Sequence, residues 1–269
     1  ATGTVATTVK TRPGGATRTL IEALRKEIEV KKDAAGQDQS YWRGTSTQVT
    51  VTLVGHSMGA LVINRLLQIA DDPSFPPGSP PLPVDRIIYL APACSINEAE
   101  QLLMPYLDRH PGTHFWLFML NRRDESREIP LNGWAIFVPR GTLLTWIDTF
   151  LENEAGPGEG RFGWVKYLEE YYGLSAEAPK ARGFFEYLFL AEDPWRDLGV
   201  KWSLKTNPSR LHAYASRRRV FDHSLPEYHS DFLEAEHFLK VLCKADPAMF
   251  TSTETCEPKA GPLKKLLGN

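Results

Sequence analysis

Val49, Val51 and Leu53 alternate with Thr50 and Thr52, a period of two that predicts a strand. From Ala60 to Ala70 the spacing lengthens, and Leu61, Asn64 and Leu67 mark successive turns of a helix. Strand therefore gives way to helix across Gly55-His56-Ser57-Met58-Gly59. Upstream, Thr17 can cap a helix whose apolar face is Leu20, Ile21, Leu24 and Ile28, with Glu22, Arg25, Lys26 and Glu29 on the other face. Asp33 to Ser46 is polar and reads as a loop. Downstream, a proline-rich loop from Asp71 to Pro83 leads to Arg86-Ile87-Ile88-Tyr89-Leu90-Ala91. That continuous apolar run suits a strand buried on both faces, and Pro92 stops it. Ser95-Ile96-Asn97-Glu98 is a capping box, and Leu102, Leu103, Tyr106 and Leu107 carry the helix to His110-Pro111-Gly112. Phe115 to Leu120 is a third buried strand. Strands alternating with helices at short spacing predict an α/β fold with a parallel sheet.

The pattern then changes. Residues 125–205 hold more than half of the aromatic residues in less than a third of the length. Helices are predicted over Thr142–Glu152, Gly163–Tyr172 and Gly183–Ala191, with a glycine-rich loop at 156–160. This stretch reads as a helical cap over the carboxyl edge of the sheet. The core is then discontinuous, 1–124 and 206–245. Arg217 to Phe221 is expected as its last short strand, and a helix carrying Phe232, Leu239 and Leu242 follows. Residues 246–269 are polar and read as a loose tail.

Composition adds exclusions. Net charge is −2 over 269 residues, which gives no electrostatic case for nucleic acid or an anionic membrane. No apolar run reaches membrane-spanning length. Cys94, Cys243 and Cys256 form no metal-ligand spacing; one disulfide is possible, but so sparse and odd a count fits reduced thiols better. With no signal-peptide pattern, a cytoplasmic location is expected. No histidine pair has zinc-binding spacing, so neither a metal nor a cofactor is expected.

Gly55-His56-Ser57-Met58-Gly59 matches G-x-S-x-G between a strand and a helix, the context in which that motif presents a nucleophilic serine. Side chains at positions 55 and 59 are expected to collide with neighbouring backbone, and Ser57 to sit strained with its hydroxyl exposed. The stretch resembles the α/β-hydrolase family. The resemblance covers roughly residues 17–124 and 216–243 and implies the α/β-hydrolase fold, with serine, acid and histidine in that chain order. A serine hydroxyl needs a base within hydrogen-bond reach and an anion to orient that base.

Asp124, just past the third strand, is the expected acid; Glu125 and Glu128 beside it, and Asp222, stay open as alternatives. His229, in His229-Ser230-Asp231-Phe232 before the final helix, is the expected base, with His223 as the alternative. His56 is expected to shape the turn. The Met58 N–H should supply one oxyanion donor at the start of a helix. The second normally comes from an early loop, yet residues 1–48 carry no such motif beyond Gly14-Gly15, which precedes the wrong helix. Only 56 residues precede Ser57, so the resemblance implies a missing N-terminal piece. The expected activity is hydrolysis of a small, apolar carboxylic ester through an acyl-enzyme. A binding protein without catalysis, or an acyltransferase using the same triad, remains open, as does the oligomeric state.

Overall fold

The computed structural model describes residues 15–28, 31–32, 38–39, 51–72, 82, 84–121, 125, 144, 160–172, 195–198, 202, 208–216, 229–250 and 256. Helix α1 (Ala16–Ile28) precedes a two-residue antiparallel hairpin of β1 (Lys31–Lys32) and β2 (Asp38–Gln39). The main sheet begins with β3 (Val51–His56), which leads through α2 (Gly59–Ala70) to β4 (Val84–Leu90). Helix α3 runs through Ile96–Glu98, a π-helical Ala99–Leu103 and Met104–Arg109 before β5 (His114–Met119). The Ser95 hydroxyl caps α3 by accepting the Glu98 N–H at 3.1 Å, as the capping box predicts.

The sheet order is β3-β4-β5-β7-β6. Strands β3, β4, β5 and β7 (Leu211–Ser216) are mutually parallel, and β6 (Trp195–Asp197) closes one edge antiparallel to β7. Helices α4 (Val165–Tyr171) and α5 (Ala235–Ala245) complete the described elements. Alternate residues of β4 enter separate cores. Ile87 and Tyr89 pack with Ile21, Leu67, Phe115 and Phe162, whereas Ile88 and Leu90 pack with Phe118, Phe232 and Val241. Burial on both faces is why β4 and β5 read as unbroken apolar runs.

The short strand expected at Arg217–Phe221 lies outside the described residues, and the strand described in this region is Leu211–Ser216. Its signal is weak because Ala213 and Ala215 are small and His212 and Tyr214 alternate with them. The stretch expected to form a cap also builds the main layers. Trp195–Asp197 joins the sheet, and Phe162, Val165 and Leu168 enter the first core. Of the other helices expected there, only the buried, helical Leu144 of 142–152 is described, and 183–191 lie outside. Position 250 is no part of a loose tail, since Phe250 is buried in the second core. Cys243 and Cys256 form a disulfide, contrary to the reduced thiols expected, while Cys94 is free and buried.

Of the apolar face expected on α1, Ile21 is buried and Leu24 packs against the first core, whereas Leu20 is half-exposed. Ile21 and Arg25, one turn apart, face inward. Arg25 tolerates burial because its Nη2 donates to the Ala70 carbonyl at the end of α2, at 2.8 Å. Arg210 does the same for α3, donating to the carbonyls of Leu107, His110 and Thr113 at 2.5, 2.8 and 2.7 Å. Those carbonyls lie at or just beyond a helix end, where intrahelical donors run out and a cation is favoured. Both arginines thus brace the edge of the sheet opposite Ser57.

Candidate active site

Parallel strands bring their carboxyl ends to one edge, and Ser57, Met58 and His229 lie there. Ser57 occupies the turn between β3 and α2 with φ of 51°, a left-handed conformation that is uncommon for a residue with a Cβ. The Ser57 N–H donates to Leu90 O at 2.9 Å. Its carbonyl accepts the Ala60 N–H at 3.2 Å and the Ala93 N–H at 3.0 Å. The strain is therefore held by β4 and the loop that follows it, as well as by the turn itself.

Gly55 lies where strand and helix almost touch. A Cβ there would sit 2.8 Å from Ile63 Cδ1 and 3.0 Å from Ala60 N and Gly59 C. The collision expected at Gly59 does not arise, because a Cβ there meets nothing within 4 Å. That side of the turn is open. Met58 is the N-cap residue of α2, with φ of −60° and ψ of −20°. Amide groups in the first turn of a helix have no intrahelical acceptor, so donors at this position face outward from α2.

His229 opens a 3-10 turn, His229–Leu233, that leads into α5. It is buried beside the residue preceding Ser57, its ring centroid 4.6 Å from that of His56. His56 Nε2–H donates to the His229 carbonyl at 2.9 Å, across 173 positions of sequence. His56 therefore does more than shape its own turn: it fastens the His229 segment to the end of β3. His237, buried on α5, donates from Nδ1 to the Asp231 carbonyl at 3.0 Å and holds the same turn from the other side.

Burial, and secondarily the neighbouring His56, pushes the His229 imidazole down to about 4. Burial also lowers His56, although its hydrogen bond to the His229 carbonyl works the other way. His229 is then neutral at pH 7, the form that can accept a proton. The unfolded chain would protonate this histidine near 6.5. Between that value and about 4 the unfolded state binds the proton and the native state does not. Stability therefore falls as pH falls through this window, and the contribution is fully present above it. The full effect is on the order of 3 kcal/mol. Urea unfolding at pH 7.5 and 4.5 should record most of that loss, and His229→Gln should remove it; an equal loss in the variant would refute the assignment.

The expected acid, Asp124, lies outside the described residues, as do Glu128, Asp222 and His223. Glu125 is described. It is fully buried just past β5, and its N–H donates to Asn121 O at 3.1 Å. The Asn121 N–H donates to Ser216 Oγ at 3.2 Å, joining the ends of β5 and β7. The early segment expected to lack a second oxyanion donor, including Gly14, is also outside the described residues up to position 14. Among the described residues no group of three or more His, Cys, Asp or Glu side chains could hold a metal ion.

The family model described as the Alpha/beta hydrolase family matches residues 17–255. The chain belongs to that family, and its parallel sheet with flanking helices is the corresponding fold. No curated protein and no solved structure matches it. No helix among the described residues is long and apolar enough to cross a membrane.

Proposed function

We propose that the chain is a serine hydrolase that cleaves a carboxylic ester through an acyl-enzyme on Ser57. The observation that carries this reading is the left-handed Ser57 at the carboxyl end of β3, with the buried His229 segment fastened to the preceding residue. Ser57 Oγ adds to the ester carbonyl carbon while its proton passes to His229. The Met58 N–H holds the oxyanion that develops. Collapse expels the alkoxide, which takes the proton from His229 and leaves as the alcohol. Water, activated by the same imidazole, then releases the acid and restores Ser57. Asp124 orients His229; its buried neighbour Glu125 is the alternative for that task. Exposed Met58, next to Ser57, favours an apolar acyl or alcohol group.

The Cys243–Cys256 disulfide favours an oxidising compartment over the cytoplasm expected from the sequence. A fluorophosphonate probe tests the proposal. The adduct should map by peptide mass spectrometry to Ser57 and be prevented by prior incubation with a hydrolysable ester. A chain that never labels is a binding protein built on the hydrolase fold.

A further inference from the structure

The Ser57 carbonyl is restrained by Ala93, and Ala93 is itself held by a segment far away in sequence. Residues 160–163 lie along the loop that follows β4. The Ile96 N–H donates to Gly160 O at 3.0 Å, Phe162 N–H to Cys94 O at 2.8 Å, and Gly163 N–H to Pro92 O at 3.0 Å. Ser95 and Arg161 form an isolated antiparallel bridge. Arg161 is buried, and its Nη1 donates to the Ala93 carbonyl at 2.9 Å.

We propose that Arg161 is a positioning residue for Ser57, acting through Ala93. The proposal rests on Ser57 being the nucleophile. A left-handed residue with a side chain persists only where its surroundings over-determine it. Of the two donors to the Ser57 carbonyl, Ala60 belongs to the same turn and moves with it. Ala93 is the donor from another element, so its placement fixes the turn relative to the sheet. A buried guanidinium on the Ala93 carbonyl makes a charge-assisted bond, stronger than a neutral one. It pins the residue that pins Ser57. The bracing segment lies within 125–205, so that stretch acts on the nucleophile from behind, through backbone.

The test uses the full-length chain and a short p-nitrophenyl ester. Arg161→Met should lower kcat and the rate of fluorophosphonate labelling together by about 10- to 100-fold, since misplacement of about 1 Å costs that much, with KM within about twofold. Arg161→Lys, which can still donate to Ala93, should recover part of the loss. Arg210→Met is the matched control, a buried arginine at the opposite sheet edge. It should destabilise the chain while its folded fraction keeps kcat within about twofold. Equal kcat losses in the two methionine variants, or a kcat for Arg161→Met within about twofold of wild type, overturn the proposal. If Arg161→Met does not fold, Arg161→Gln and Arg210→Gln, neutral and too short to reach the same carbonyls, are compared on the same criterion. A wild-type chain inert to both reagents overturns the nucleophile reading instead. Amide exchange then examines the brace alone: unchanged protection at Ala93 in the Arg161 variant would refute it.

Discussion

Ser57→Ala is expected to lower kcat for a short p-nitrophenyl ester by at least about 10⁴-fold while leaving the unfolding midpoint close to wild type. On the proposed reading the loss is large because the serine, histidine and acid act as a unit. Without the hydroxyl no acyl-enzyme forms, and His229 has nothing to deprotonate. Turnover that remains should match what an oxyanion donor and binding alone supply. The stability should hold because Ser57 meets its neighbours mainly through backbone: its N–H to Leu90 and its carbonyl to Ala60 and Ala93. Alanine keeps all three bonds and tolerates φ of 51° about as poorly as serine. The measurement pairs ester hydrolysis with urea unfolding. Activity within tenfold of wild type would remove Ser57 from the chemistry, and a collapse of stability would make the activity loss uninformative about its role.

The turn bearing Ser57 was legible because two periodicities meet there. Val51 and Leu53 alternate with Thr52 in β3, and Leu61, Asn64 and Leu67 repeat at helical spacing in α2. Strands β4 and β5 were legible for the opposite reason: burial on both faces leaves no polar position to interrupt them. Strand β7 was hidden. Its His212 and Tyr214 look polar enough for a loop, yet on the sheet they stack beside Trp116 and Phe118, with centroids 4.1 and 5.7 Å apart respectively. Nothing local announces that pairing, because the partner strand lies almost a hundred residues earlier.

The same limit applies to the site. Ser57 and His229 were placed by local motif and chain order. The bonds that brace them, His56 to His229 and Arg161 to Ala93, join residues 173 and 68 positions apart. Such contacts depend on the folded path and leave no spacing rule in the chain. The disulfide is a further case: Cys243 and Cys256 are ordinary in sequence, and only the 5.6 Å separation of their Cα atoms joins them.

Gly163→Ala should cost about 3–5 kcal/mol of stability, placing it among the rare severe single substitutions. A Cβ at position 163 would collide with Pro92 O and lie 2.6 Å from Pro92 N and 2.7 Å from Ala91 C. All three are backbone atoms, so no rotamer change relieves the contact. The loop they belong to has little freedom to retreat. Pro92 has a ring-fixed φ, Ala91 already sits at φ of 40°, and the Ala91 N–H is committed to Phe118 O at 2.8 Å. Retreat would also break the Gly163 N–H bond to Pro92 O and disturb Ala93, the donor to the Ser57 carbonyl. Gly112→Ala is the control, since a Cβ there meets nothing within 4 Å. It should stay within about 0.5 kcal/mol of wild type in urea unfolding. If Gly163→Ala also unfolds within about 1 kcal/mol of wild type, residues 160–163 are not tightly seated on the loop after β4, and the bracing of Ser57 from that side fails with them.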